Sequence, residues 1–286
     1  MNRINVVIVI SILFLFFLNV NYSNSQVLDA PLNIVVIIDT SDRVCPEKHP
    51  DQREKDIGIL KKIVDQFYEL IEPEIRTGKI KKHKLNFVVP DQPETQNPPY
   101  NITEKLTLTA PEKRSGNPEF QNKKQELIDA VSELYDYVQK HPQTGSDIWD
   151  WFRSQAEHSF SKSHQNLVVC LSDGYLTFDK QVNRPKGTCM WVREFDDLEV
   201  DEAINKIKNG KSLHPVGNFK DFNVKFLMLE IRLRETNGVK HFQDFDIIQA
   251  YWKTWLDEMG IEDTQFFEQL DPGGLKNKIE SFIQLK

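Results

Sequence analysis

The sequence has little cysteine: only Cys45, Cys170 and Cys189 occur among its 286 residues. Three cysteines are too few for a disulfide-rich scaffold, and no Cys-x-x-Cys pair indicates a zinc site. Cys170 lies within the apolar run "NLVVCLSD", which predicts a buried thiol. Cys45 and Cys189 fall in predicted loops, so we predict that any disulfide joins these two residues.

The sequence also lacks an excess of positive charge. It has 36 Lys and Arg against 43 Asp and Glu, a formal net charge of −7. This balance argues against nonspecific binding of nucleic acid, which needs a basic face, and against adhesion to anionic lipid. The seven His residues show no His-Glu-x-x-His spacing, and neither Gly-x-Ser-x-Gly nor a P-loop motif occurs. We therefore predict that the protein is not an enzyme.

Long apolar runs are absent except near the N-terminus. Val6 to Leu18 is an uncharged apolar run that follows Arg3, and the small residues Ser23 and Ser25 precede Gln26. This pattern predicts a cleaved signal peptide over residues 1–25. An uncleaved N-terminal anchor is the alternative, although the run is short for a span of roughly 20 residues. We expect an exported protein, periplasmic or extracellular, with no membrane insertion after cleavage of the leader.

After a short linker, 26–32, the rest of the chain alternates apolar strands with amphipathic helices. The alternation predicts one α/β domain over residues 33–286, a doubly wound and mostly parallel sheet with helices on both faces. "KLTLT" (Lys105–Thr109) is predicted as an edge strand. The other predicted strands are Asn33–Ile38, Lys84–Pro90, Asn166–Asp173, Phe222–Ile231 and "DTQFFEQL". The predicted helices are Asp51–Glu72, Glu119–Lys140, Ile148 to about Ser159, Glu199–Asn209, His241–Met259 and a final helix that Asp271 caps.

Three polar segments are expected to meet at one edge of this sheet. In an open α/β sheet, ligands bind outside the carboxyl ends of the strands. The segments are Asp39 to Arg43 after the first strand, Gly145 to Asp147 before a helix, and Ser172 to Gly174 after "LVVCL". Each brings a hydroxyl and a carboxylate, and such hard oxygen donors suit Mg²⁺ or, less specifically, Ca²⁺ or Mn²⁺. The candidate metal ligands are Asp39, Ser41, Ser146 and Asp173.

In this order and strand context, the three segments resemble the metal-ion-dependent adhesion site of a von Willebrand factor type A domain. The first motif of that family is Asp-x-Ser-x-Ser, and this sequence has Asp39-x-Ser41-x-Arg43. Ser146 stands where the family has a Thr in a turn that opens a helix. Asp173, in "SDG", stands where the family has an Asp in a "TDG"-like turn. The resemblance extends over residues 31–286, including the order of strands and helices.

The resemblance implies recognition of a protein rather than catalysis. In the family, the metal keeps one coordination position open, and an Asp or Glu of the partner protein fills it. Neighbouring residues would then contact the partner or modulate the site: Asp42, Arg43, Asp147 and Trp191.

Arg43 departs from the family pattern, because a guanidinium has no lone pair to offer a metal. It could turn away and pair with Asp42 or an acidic loop, which would leave a working metal site. It could instead pair with Asp39 or Asp173 and replace the ion, which would leave a degenerate site.

Three plainer interpretations stay open. Ser146 and Asp147 could serve only as the N-cap of the following helix. The protein could be a metal-free structural or assembly subunit of an envelope complex. It could also be a haloacid-dehalogenase-like hydrolase, a class that uses Asp-x-Asp after the first strand, although Ser41 here occupies the position of the proton carrier.

Overall fold

The computed structural model describes residues 29–91, 97–141, 145–176 and 187–283. The predicted signal peptide, 1–25, and the first residues of the predicted linker lie outside the described residues. Within the described part of the chain, no helix combines the length and the apolar character needed to cross a bilayer.

A six-stranded sheet forms the centre of the domain, in the order β3-β2-β1-β4-β5-β8. β1 pairs in parallel with β2 on one side and β4 on the other, while β3 is an antiparallel edge strand. The strand order therefore changes direction between β1 and β4, and the crevice at their carboxyl ends is the expected ligand position. The strands are β1 (Leu32–Ile38), β2 (Lys84–Val88), β3 (Thr107–Thr109), β4 (Gln165–Leu171), β5 (Val224–Ile231) and β8 (Asp263–Glu268).

Helices cover both faces of the sheet, which confirms the predicted α/β class. Because successive side chains of β1 point to opposite faces, Val36 joins an aliphatic core on one face and Val35 an aromatic-rich core on the other. The first core contains residues of α1, α3 and α8, and the second contains residues of α4 and α7. The helices are α1 (Gln52–Thr77), α2 (Tyr100–Thr103), α3 (Asn117–Lys140), α4 (Ile148–Ser154), α5 (Ala156–Ser159), α6 (Val200–Lys206), α7 (Asp244–Glu258) and α8 (Pro272–Ile283).

Helix α1 is longer than predicted. The sequence prediction ended it at Glu72 because of Pro73, but the helix continues to Thr77 and ends at Gly78, which is left-handed (φ +73°). Ile75, beyond the proline, is buried in the core. Burial of that turn compensates for the main-chain hydrogen bond that a proline cannot donate.

Three other helices are shorter than predicted, and the one predicted over His241–Met259 is α7, which begins only at Asp244. The helix predicted from Ile148 to about Ser159 is interrupted at Gln155, so α4 and α5 are separate. Regular helix in the predicted Glu199–Asn209 segment stops at Lys206, and a wider turn, Ile207–Lys211, follows it.

The sequence prediction missed a small hairpin at the carboxyl end of β5. Its strands are β6 (Glu235–Thr236) and β7 (Val239–Lys240), paired antiparallel. Asn237 and Gly238 both have positive φ, +52° and +78°. The dipeptide Asn-Gly is the usual signal for the tight type I′ turn that this conformation describes, so the sequence did contain the information.

Candidate functional site

Asp39 leaves β1 directly into the crevice and is fixed there by three hydrogen bonds. Its backbone N–H donates to Leu171 O of β4 at 3.0 Å. Its carboxylate accepts from Ser41 N at 2.9 Å and from Ser172 Oγ at 2.7 Å. The residue is only 2% exposed. The continuous Ile and Val run of β1 buries the strand up to its last residue and so carries this carboxylate into a buried position.

Asp173 sits on a turn that the surrounding structure holds firmly. Gly174 has φ +93°, and a Cβ atom there would lie 2.8 Å from Ile248 Cγ2, so no other residue fits without strain. Trp252 Nε1 donates to Gly174 O at 2.8 Å. Tyr175 N donates to Asp173 Oδ1 at 3.1 Å. The "SDG" segment thus places a carboxylate beside the end of β4, as the sequence predicts.

The two carboxylates are electrostatically unfavourable neighbours. Burial raises the pKa of Asp173 to about 7, and the negative charge of Asp39 adds to this rise. Among the described residues, neither carboxylate forms an ion pair within 4 Å. A bound cation would supply the missing positive charge, and carboxylate oxygens are the ligands that Mg²⁺ prefers.

Ser146 and Asp147 have different roles, although they are adjacent. Asp147 is the N-cap of α4, because its Oδ1 accepts from Asp150 N at 2.8 Å. The Asp147 N–H donates to Asp91 O, just beyond β2, at 3.2 Å. Ser146 is buried, and its Oγ has no hydrogen-bond partner among the described residues. An orphaned buried hydroxyl is unfavourable without a ligand, so Ser146 fits a role as an oxygen donor to a metal.

Arg43 does not enter the site as a substitute for the ion. Its guanidinium forms a two-pronged pair with Asp56 of α1, at 2.7 Å and 3.0 Å, and both side chains are fully buried. Its Nη1 also donates to the main-chain O of Asp39 at 3.1 Å, not to that residue's carboxylate. The predicted alternative in which Arg43 pairs with Asp42 is wrong, since Asp42 is exposed and pairs with Lys48.

Asp56 is a site residue that the sequence analysis missed. It also accepts from Gln52 Nε2 at 2.8 Å and from Tyr135 OH at 2.6 Å. Burial alone would lower the pKa of Arg43, but the ion pair with Asp56 outweighs it and raises that pKa. Gln52 and Asp56 extend the buried stripe of α1 with an i, i+4 spacing, which was the available signal.

Trp191 and the cysteines lie apart from this cluster. Trp191 is 59% exposed and lines a second cleft of about 720 Å³, whose lining includes Cys189 but not Asp39 or Asp173. Among the described residues, Cys45, Cys170 and Cys189 form no disulfide with one another, so the predicted Cys45–Cys189 bridge is not formed in the structure.

A second group of three metal-ligand side chains lies near the hairpin. Asp196, His241 and Asp244 are the only such group of His, Cys, Asp and Glu among the described residues. Arg234 already occupies it, donating to Asp196 at 2.6 Å and to Asp244 at 2.7 Å. These bonds raise the pKa of Arg234, so the cation at this position is the arginine itself.

Comparison with known proteins gives only remote likenesses. No family model matches the sequence, and no curated protein matches it. The mussel byssus proximal thread matrix protein 1 superposes with a TM-score of 0.38 and 11% identity, over 90% of this chain and 48% of that chain. The pilus adhesin SpaC of Lactobacillus rhamnosus GG, in an open conformation, superposes with a TM-score of 0.42 and 12% identity. The match covers 90% of this chain and 30% of the adhesin. A second structure of SpaC superposes with a TM-score of 0.44 and 12% identity, over 91% of this chain and 31% of the adhesin. The chain thus spans about half the length of the mussel protein and about a third of the adhesin.

Proposed function

We propose that the protein is an exported protein-binding module of the von Willebrand factor type A kind. In this proposal, Asp39, Ser41, Ser146 and Asp173 hold a divalent cation, Mg²⁺ or alternatively Ca²⁺ or Mn²⁺, at the carboxyl edge of the sheet. A carboxylate of a partner protein completes the shell of the ion.

One observation carries the proposal: Asp39 and Asp173 are neighbouring carboxylates at the ends of adjacent strands, and among the described residues neither forms an ion pair within 4 Å. A buried carboxylate such as that of Asp39 is ordinarily paired with a cation or bound to a metal. The orphaned hydroxyl of Ser146 supports the same conclusion, because it adds an uncharged oxygen donor.

The residues of the chain divide the work of recognition. Asp39 is held by Ser41 N and Ser172 Oγ, so its remaining lone pairs keep a fixed direction. Arg43, held by Asp56, braces the main chain of Asp39 and takes no place among the donors. The metal, when bound, supplies an electrophilic position for the partner's carboxylate. Two carboxylates and two hydroxyls from the chain would leave part of the coordination shell open for that carboxylate.

A metal titration tests the proposal. Thermal unfolding of the chain from residue 26 onward is measured with increasing Mg²⁺, and separately with Ca²⁺. At a tenfold excess over Kd, a bound ion should stabilise the native state by about 1.4 kcal/mol. Asp39→Ala and Asp173→Ala should abolish this rise, whereas Asp129→Ala, an exposed carboxylate on α3, should keep it. Absence of any rise in the wild-type protein at millimolar metal would refute the metal site.

Two alternatives are tested in the same experiment and one assay. A metal-free structural subunit would show no dependence on Mg²⁺ in stability or in partner capture. A haloacid-dehalogenase-like hydrolase would release phosphate from a generic aryl phosphate in the presence of Mg²⁺, and Asp39→Asn would abolish the release. We predict no turnover, because Ser41 cannot serve as the proton carrier of that mechanism.

A further inference from the structure

Arg232 is the residue that follows β5, and it lies against the candidate metal site. Its backbone N–H donates to Asp173 O at 3.1 Å, which ties the end of β5 to the turn that carries Asp173. The side chain is half-buried and lines an open cleft of about 730 Å³, together with Asp173. The cleft is therefore continuous with the metal-binding edge of the sheet.

The guanidinium of Arg232 has unused donors. Its one hydrogen bond in the described structure goes from Nη2 to the amide oxygen of Gln52, at 2.7 Å. The two other arginines that line the cleft are both paired with carboxylates, Arg43 with Asp56 and Arg234 with Asp196 and Asp244. Within the described ranges, Arg232 forms no ion pair, so it is the cleft arginine that is available to an anion.

The wall of the cleft is suited to a protein segment. The hairpin contributes Lys240, which also forms no ion pair in the described part of the chain. Two large apolar residues close to Lys240 in the chain, Val239 and Phe242, lie outside the cleft lining and are 65% and 75% exposed. A small dicarboxylate could neutralise the cations but could not cover these two side chains. A peptide with acidic and apolar residues could do both.

We propose that Arg232 binds a second carboxylate of the partner, so that the protein recognises a segment with two nearby acidic residues. The first carboxylate would bind at the metal and the second in the fork of the arginine, which matches carboxylate geometry. This inference rests on the proposed function, because the metal site supplies the first contact. The exposed Val239 and Phe242 would bind apolar residues of the same segment.

Selection from a random peptide library displayed on phage, with Mg²⁺ present, tests the inference. Wild-type protein should enrich peptides with two acidic residues. Arg232→Gln should enrich single-acid peptides and bind the wild-type-selected peptides about tenfold more weakly. Arg232→Lys, which keeps the charge but loses the fork, should fall between them. Arg76→Gln, an exposed arginine at the opposite end of α1, is the matched control and should behave as wild type.

The outcomes separate the two proposals. If Arg232→Gln folds normally and enriches the same two-acid peptides with equal affinity, the role of Arg232 is wrong, whatever the metal does. If wild type enriches only single-acid peptides, and only with Mg²⁺, the metal proposal is supported and the proposed role of Arg232 is again wrong. If enrichment of two-acid peptides depends on Arg232 but persists in a metal chelator, the proposed role of Arg232 is supported and the metal proposal fails. If wild type enriches no acidic peptides, both proposals of carboxylate recognition fail.

Discussion

Asp56, Asp39 and the half-buried Asp173 are acidic groups near the same crevice, but the surroundings of Asp56 are opposite to those of the Asp39–Asp173 pair. The Asp56 carboxylate accepts four hydrogen bonds, two of them from Arg43. Asp39 accepts two on its carboxylate and Asp173 one, and neither has a salt bridge in the described structure. The Asp56 carboxylate therefore has no lone pair left for a ligand, whereas the carboxylates of Asp39 and Asp173 can still accept one.

The difference separates a structural role from a binding role. A buried charge that is fully paired within the chain gives the fold its local geometry and has little to offer a ligand. Neighbouring carboxylates that are buried or half-buried and poorly paired are unfavourable until a cation binds them. Because Arg43 contacts both Asp56 and the main chain of Asp39, its ion pair with Asp56 also holds the proposed metal site in position. The following predictions test whether the two roles are as distinct as the contacts indicate.

The largest effect is expected from Asp56→Ala. Loss of this carboxylate leaves Arg43 buried without a counterion, which should lower the free energy of unfolding by about 3–5 kcal/mol. Urea-induced unfolding without metal measures the effect. Asp42→Ala, which breaks only the exposed pair with Lys48, is the control and should cost less than about 1 kcal/mol. If Asp56→Ala lowered the free energy of unfolding by a similarly small amount, the ion pair of Asp56 with Arg43 would not be important for stability.

A smaller effect is expected from pH, and it should come from Asp173. Its pKa is raised from its usual value near 3.8 to about 7 in the fold, by burial and then by Asp39. Between about pH 4 and 7 the unfolded chain releases this proton more readily, so the metal-free protein should lose stability as pH rises. The slope should reach up to about 1.4 kcal/mol per pH unit.

The contribution of Asp173 is isolated by comparison with Asp173→Asn, in unfolding experiments at several pH values. The difference in free energy of unfolding between the two proteins should change between about pH 4 and 7 and level off above about pH 7. Saturating Mg²⁺ should flatten the wild-type dependence, since an ion favours the charged carboxylate. Parallel curves for the two proteins would mean that the Asp39–Asp173 pair is not strained as described.

The smallest effect distinguishes two adjacent residues. Asp147→Ala removes the N-cap of α4 and should cost about 1 kcal/mol of stability, with little change in metal affinity. Ser146→Ala removes a buried hydroxyl that has no partner among the described residues, so its cost without metal should be close to zero. It should nevertheless weaken Mg²⁺ binding. Thermal unfolding with and without Mg²⁺ measures the stability and the Mg²⁺ affinity of each variant. If Asp147→Ala weakened Mg²⁺ binding and Ser146→Ala did not, the metal contact would belong to Asp147.

The frame of the site was predictable because it depends on local patterns. A continuous run of Ile and Val marked β1, and the polar residues at its end followed from the rule for parallel sheets. Asp271 was expected to cap the last helix, and its Oδ1 accepts from Gly273 N and Gly274 N at 2.9 and 3.0 Å. The signals for these features lie within a few residues of the feature itself.

The partner of Arg43 was not predictable in the same way. Asp56 lies within a helix, where an acidic residue is ordinarily solvent-exposed, and only the packing of α1 against β1 and α3 buries it. The absence of an ion pair at Arg232 likewise depends on how the end of β5 meets the Asp173 turn and the start of α1. The hairpin is a different case, because Asn237-Gly238 was a readable turn signal that was overlooked.

The pairing of Arg43 with Asp56 also limits which sequence changes the protein can tolerate. A serine at position 43 would complete the Asp-x-Ser-x-Ser pattern of the proposed module, yet by itself it would leave Asp56 charged, buried and without a counterion. A change at Asp56 alone would strand the arginine in the same way. The two positions are therefore expected to vary together in related sequences, and a conventional Asp-x-Ser-x-Ser loop should be accompanied by an uncharged residue at the position of Asp56.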